Sequence, residues 1–458
     1  DFLTYDGGGV GTWGRDDGGR DIQYDLLGQS WDGASGATSG EEPFDSKWSI
    51  AGGGKLELSK DVKFGGLLSF FYERDSSYQT GFEDELWRKS PGAPMTPAQG
   101  QVQGDTDFKT SLFDITQASQ SVQWGGLATT GIETENHRIG LTFLYTHTAE
   151  DTTTVATDTR GKRFFFGEDY DQYDTSHPGN QPDALATAPY IRTDTLEYNE
   201  RTTGTLQLTG KHSLVDQKGW FGGPWEWGVP EVDWTVSSSF ADMDQPDKRQ
   251  FGAQWTPEVE LIPGLTIPST WTPYKPAANF NLGNFQRIWK TIEEDSVQLS
   301  TNLRVPFKTT SDDRGYVKTG IFADRVDRQF TQESFSNFGD GGATYAAPWE
   351  EPWSAVFSEE DHPISASDYD VDYRGAIDIS AWYAMVDYPF NAEWKAVGGA
   401  RVEQTSIEVI NEPEGLALWY PNGTTAPVVL NPGDADVDID QTDVLPSLGV
   451  EWQASKQW

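Results

Sequence analysis

VQLSTNLRV, residues 297–305, reads as an extended segment with two unlike faces. Val297, Leu299, Thr301, Leu303 and Val305 share one side, and Gln298, Ser300, Asn302 and Arg304 the other. Successive side chains of a strand point to opposite faces, so this alternation predicts one apolar and one polar surface. Working outward, the pattern recurs. Ile139, Leu141, Phe143 and Tyr145 alternate with Arg138, Gly140 and Thr142, although Leu144 breaks the polar side. Val62, Phe64, Gly66, Leu68, Phe70 and Tyr72 oppose Lys63, Gly65, Ser69 and Glu73. Trp394, Ala396, Ala400 and Val402 face away from Lys395, Arg401 and Glu403, and Leu448, Val450 and Trp452 from Ser447, Gly449 and Glu451. No helical period of useful length occurs.

Alternation alone suits a soluble β-sandwich equally well. Length and spacing separate the two. About eleven segments are present, most of about ten or more residues; crossing hydrocarbon takes roughly 9–11 tilted residues, whereas soluble strands average about 5–6. The connections alternate too. Short turns fall at Lys60-Asp61, Glu135–His137, Ser311–Arg314 and Pro389–Glu393. Between them lie long Gly-, Pro- and Asp-rich stretches, near 75–110, 158–194, 241–285, 334–375 and 411–437. Loops of that length are uncommon inside compact soluble domains. All on one side of a meander, they predict a transmembrane antiparallel up-and-down β-barrel with tight periplasmic turns and long extracellular loops. The connection Val215–Pro230 breaks the rule; its Trp220, Phe221, Trp225 and Trp227 are expected to form an interfacial aromatic girdle. Residues 1–50, rich in Gly and Asp, read as an outside loop.

Composition sets limits. With 33 Lys and Arg against 72 Asp and Glu, the formal charge is −39, which repels a nucleic-acid partner. High charge can signal disorder, but 19 Trp, 17 Tyr and 24 Phe argue for a folded chain. There is no cysteine, so no disulfide, thiol nucleophile or cysteine zinc site. No apolar run is long enough for a transmembrane helix, which leaves barrel strands untouched. The start at Asp1, without a signal peptide, implies a mature or trimmed chain.

WKAVGGARVEQTSIEV (394–409) resembles the strand of TonB-dependent outer-membrane receptors in which a Gly-Gly pair precedes Arg-x-Glu. DVLPSLGVEW (443–452) is similar to that family's next strand, with its Leu-Pro-Ser entry, and IDISAWYAMVDYPF (377–390) to the strand leading into both. GIFADRVDRQF (320–330) and DFLTYDGGG (1–9) are weaker likenesses. The resemblance implies an all-β barrel of 22 strands, of which about eleven are found here. It also implies a TonB box and a plug domain ahead of the barrel, neither visible, and further hairpins after it. Residues 1–458 are therefore expected to be a barrel fragment of a longer protein. An open edge would leave unpaired N–H and C=O groups in lipid at several kcal/mol each.

Candidate chemistry is sparse. Asp434, Asp436, Asp438 and Asp440 alternate, which would place four carboxylates on one strand face. Hard oxygen ligands suit calcium, but Ile439 and Leu445 occupy the EF-hand glycine and glutamate positions; a solvated strand extension is the other reading. His137, His147, His177, His212 and His362 show no HExxH spacing. No nucleophile elbow, P-loop or dinucleotide fingerprint exists, so no enzyme is expected. Arg401 and Glu403 suit a polar lumen. Loop aromatics, namely Trp271 and Tyr274, Tyr345, Trp349 and Trp353, and Trp419 and Tyr420, could stack a ligand or pack loops together.

Three functions fit. The first is a TonB-dependent receptor of the Gram-negative outer membrane, importing a scarce iron chelate or oligosaccharide, with TonB acting through the plug. The second is a passive porin. The third is a structural or adhesive outer-membrane protein whose acidic loops bridge calcium to lipopolysaccharide, motivated by the −39 charge.

Overall fold

The computed structural model describes 37, 40, 41 and the chain from Phe44 to Trp452, apart from 42–43, 85, 89–94, 98–111, 159–189, 216–225, 257–258, 269, 274–281, 310–313, 338–364, 368, 392, 416 and 423–425. Eleven long strands form the wall: β1 (Ser46–Ser59), β2 (Val62–Asp84), β3 (Leu112–Glu133), β4 (His137–Asp158), β5 (Tyr190–Ser213), β6 (Glu231–Thr256), β7 (Phe285–Lys308), β8 (Arg314–Ser336), β9 (Val371–Pro389), β10 (Trp394–Pro413) and β11 (Val437–Trp452). Each pairs antiparallel with the next in chain order, the meander of an up-and-down barrel. The arc is not closed: among the described residues β1 and β11 each pair along one side only. No helix there is long and apolar enough to cross a membrane, which does not bear on strands.

Turn chemistry fixes the register. Lys60-Asp61 joins β1 to β2, with the Asp61 amide donating to Ser59 Oγ at 3.3 Å. Asn391 Oδ1 accepts the Glu393 and Trp394 amides at 2.9 and 3.0 Å, an Asx turn that reverses β9 into β10. Thr134 Oγ1 accepts the His137 amide at 3.0 Å between β3 and β4. The expected short turns at Lys60-Asp61, Glu135–His137 and Pro389–Glu393 are therefore present, with His137 and Pro389 already in strand. The turn at Ser311–Arg314 lies mostly outside the described residues, and Arg314 opens β8.

The strands are longer than their alternation suggests, 14 residues in β1 and 26 in β6. Where the sequence predicts loops from 75 and from 241, β2 continues to Asp84 and β6 to Thr256. The loop expected over 1–50 gives way to strand at Ser46. Small hairpins sit among the connections: 86–88 with 95–97, 259–262 with 265–267, and 418–419 with 428–429.

Among the described residues the eleven long strands form a single sheet, with no second sheet of long strands to stack on it as in a sandwich. Phe251, Phe285 and Phe335 are fully buried and form a small core at the upper ends of β6, β7 and β8. Phe251 meets Phe285 edge-on with ring centres 6.0 Å apart. The apolar face of the wall stays uncovered instead: Val297 is 58% and Leu448 81% exposed. Apolar area on that scale needs a non-aqueous neighbour.

Candidate functional site

Pairing carries one rung across all eleven strands: Leu56, Phe64, Ile132, Ile139, Gly210, Trp234, Thr301, Ile321, Trp382, Val402 and Val444. Residues paired across strands share a face, so this rung marks the outer surface. Following the same face up and down gives a band. It runs over 48–58 in β1, 62–72 in β2, 122–132 in β3, 137–147 in β4, 202–212 in β5, 232–240 in β6, 297–307 in β7, 315–323 in β8, 380–388 in β9, 394–402 in β10 and 442–452 in β11. Outward positions in this band hold no Asp, Glu, Lys or Arg. Each segment is about 9–11 residues, the length a tilted strand needs to cross hydrocarbon.

Charge returns immediately above it. Arg74, Glu200, Asp242, Asp295, Arg325, Asp378 and Asp440 all stand on the outward face at the next outward position past the band, and Asp151 one outward position further. Both borders carry rings. Trp48 stacks on Tyr72 with centres 5.9 Å apart, and Trp124 lies 5.2 Å from Tyr145 at the upper border. At the lower border Trp394 stacks on Trp452 at 5.4 Å. There too the Trp234 indole N–H donates to His212 Nε2 at 3.0 Å, and the His212 and His137 Nδ1 atoms meet at 3.1 Å. Amphipathic rings at both edges are the expected interfacial girdles. Trp220, Phe221 and Trp225, expected to form the lower girdle, lie outside the described residues. Trp227 packs edge-on against Phe307, ring centres 5.6 Å apart.

The opposite face is polar. Its neighbouring rung reads Lys55, Gly65, Gly131, Gly140, Thr209, Thr235, Ser300, Phe322, Ala381, Glu403 and Asp443. Hydroxyl pairs lace it, such as Thr129–Thr142 at 3.1 Å and Thr205–Ser239 at 2.9 Å. Asn302 Nδ2 donates to Asp233 at 2.6 Å, while the Tyr383 hydroxyl donates to Asn302 Oδ1 at 2.6 Å. Gly320 leaves room for that crossing: a Cβ there would sit 2.4 Å from Asn302 Oδ1. Arg401 pairs with Glu403 at 2.6 Å and lies 5.2 Å over the Phe322 ring, on the lumen face that the alternation assigns.

Above the band, β6 bulges at Pro246-Asp247, where Asp247 has φ of 53°. Arg287 holds the Asp247 carboxylate through Nε and Nη2, both at 2.6 Å. On the lumen side of this bulge Gln245 Nε2 donates to Glu197 and Asn199 at 2.9 and 2.8 Å. Lys248 pairs with Glu197 at 2.7 Å. Burial alone would raise the Glu197 carboxyl, but the hydrogen bonds from Lys248 and Asn199 and the charges of Lys248 and Lys290 together hold it below its ordinary value. Alternation did not reveal this cluster, although a proline inside a strand pattern is a bulge signal. Further along the rim Asp370 accepts the Ser334 amide at 2.8 Å, and Asp372 the Gln332 amide at 2.9 Å, where β8 and β9 diverge. Burial pushes both carboxyls up, and it pushes Glu333 beside them to about 7.

The aromatic candidates are scattered. Trp271 lies in a short strand, Thr270–Pro273, paired with the end of β6. Tyr274, Tyr345, Trp349 and Trp353 lie outside the described residues. Trp419 is half-buried in the 418–419 hairpin, its Nε1 lacking a partner, and Tyr420 beside it is exposed. The aspartate row is a correction. β11 begins at Val437, so only Asp438 and Asp440 stand on its outward face. Asp434 instead accepts from Asn431, which holds its carboxyl below the ordinary range, and Asp436 accepts the Asn411 amide at 2.8 Å. No group of three or more His, Cys, Asp or Glu among the described residues is placed to hold a metal.

No curated protein matches this chain. Residues 245–458 match the family described as TonB dependent receptor-like, beta-barrel.

Proposed function

We propose, from residues 245–458 being a TonB-dependent receptor-like β-barrel segment, that the chain forms wall and rim of a Gram-negative outer-membrane importer. The observation that carries the membrane reading is the uncharged outward band, bounded by rings and then by charged side chains. A charged side chain at mid-bilayer costs about 2–4 kcal/mol, so a band free of charge on eleven strands is the imprint of lipid. The family is one of transporters.

In the proposed cycle a scarce ligand meets the extracellular rim, where the strand tops stand above the bilayer. TonB, acting through a plug in the lumen, then opens a path along the polar face. The residues described here bind, line and enclose. Their hydroxyl and amide rungs offer exchangeable hydrogen bonds to plug, ligand and water alike. Iron chelates and oligosaccharides are both cargo classes for such a rim.

The test is uptake by cells expressing the natural receptor, with and without TonB. Loss of accumulation in the TonB-deficient strain is expected. Equal accumulation in both strains would mark a passive pore and contradict active import.

A further inference from the structure

The lumen face at the extracellular mouth has a hydrogen-bonding demand that the wall itself leaves unmet. Gln245, only 5% exposed, spends its amide N–H groups on Glu197 and Asn199, and its Oε1 has no hydrogen-bond partner. Asn199 Nδ2 donates to the same Glu197 oxygen at 2.7 Å, so amide orientations are fixed by their partners. Lys290 sits directly across from Gln245 in the β6–β7 ladder. Arg201 stands two positions below Asn199 on the same face of β5. Neither Lys290 nor Arg201 makes an ion pair among the described residues. Thr195, Gln250, Gln332 and Ser334 continue the polar surface around them.

We propose that Gln245, Glu197, Asn199, Lys248 and Lys290 form a subsite for a hydroxyl-rich ligand segment, of the polyol or oligosaccharide class. An orphan carbonyl oxygen calls for a donor, and an unpaired ammonium calls for an acceptor. A hydroxyl group is both at once. A carboxylate or phosphate would satisfy Lys290 but set its lone pairs against Gln245 Oε1 and the Glu197 carboxylate. A cation would meet Lys248 and Lys290. The bulge at Pro246-Asp247 serves the arrangement by turning Gln245 and Lys248 to the same side of β6. This inference rests on the importer reading and selects among its cargo classes.

The experiment is binding of the purified natural receptor, in detergent, to an array of neutral oligosaccharides, with citrate and inorganic phosphate as soluble competitors. At least one neutral glycan should bind. Its affinity should fall roughly tenfold or more, the usual scale for losing a buried polar partner, in Lys290→Met and in Gln245→Met. Lys318→Met, lower on the lumen wall, should bind as the wild type does. Lys290 is half-buried and in no ion pair, so its variant keeps the test decisive where Gln245→Met impairs folding. Absence of any neutral glycan binding, or binding that survives both substitutions, would overturn the proposal. Competition by citrate or phosphate would overturn it in favour of an anion site. TonB-dependent uptake in the same cells is scored separately, so cargo class and transport can fail independently.

Discussion

At Leu299 an added charge would stand in lipid, whereas at Gln298 it would stand in the lumen. Leu299→Arg should therefore lower folding stability in vesicles by about 2–4 kcal/mol, and Gln298→Arg by much less. Urea titration of folding into lipid vesicles reads the difference, and equal penalties would refute the facing. Glu333 tests the rim. It lies on β8 well above the uncharged band, its carboxyl raised from 4.5 to about 7, first by burial and then by Asp370 and Asp372. Between those two values the folded rim binds a proton that the unfolded chain does not. Stability contributed there is full below about 4.5 and falls as pH climbs to about 7. The protection factors of the upper β8 amides, with the intrinsic base catalysis of exchange divided out, should fall from pH 5 to pH 8, and Glu333→Gln should flatten that slope. An unchanged slope would remove Glu333 as its source.

The strands differ in how openly the sequence declares them. Residues 297–305 are legible because one face meets an apolar medium and the other water, and such a two-sided setting enforces alternation. Above the band both faces are wet. Asp242 and Asp244 on one side of β6 and Gln245 on the other leave no contrast to read, so the strand tops over 75–84 and 241–256 pass for loop. Turns were legible where a side chain closes them, as Asn391 does. The aspartate row shows the opposite failure: a period of two persists through Asp434 and Asp436, but a turn held by Asn431 precedes the strand. The Gln245 cluster stayed hidden because it joins residues from three strands, and only the bulge proline hinted at it. Element-level packing can be challenged at Gly320, where a Cβ would lie 2.4 Å from Asn302 Oδ1 and 2.8 Å from the Thr301 carbonyl. Gly320→Ala should break the Tyr383–Asn302 bond and destabilise the wall by about 1–3 kcal/mol. Vesicle unfolding would read it, and a neutral result would mean the wall yields at that crossing.

Across the molecule, charge is partitioned rather than averaged. A net −39 coexists with an outward band that has no charged side chain at all. Lumen cations such as Arg401, Arg304 and Lys395 are paired with carboxylates on the same face. That partition makes the wall a boundary between lipid and a wet interior, and everything argued about transport depends on it. The most direct measurement is nitroxide scanning of residues 293–307, one label at a time, in the receptor reconstituted into bilayers. Collision with oxygen, which concentrates in lipid, and with a water-soluble nickel chelate is recorded at each position. The account predicts a period of two from 297 to 307, odd positions oxygen-accessible and even positions nickel-accessible, with the contrast collapsing at Asp295 and Glu293. Uniform accessibility along the strand, or odd positions shielded from both reagents as in a sandwich core, would contradict it.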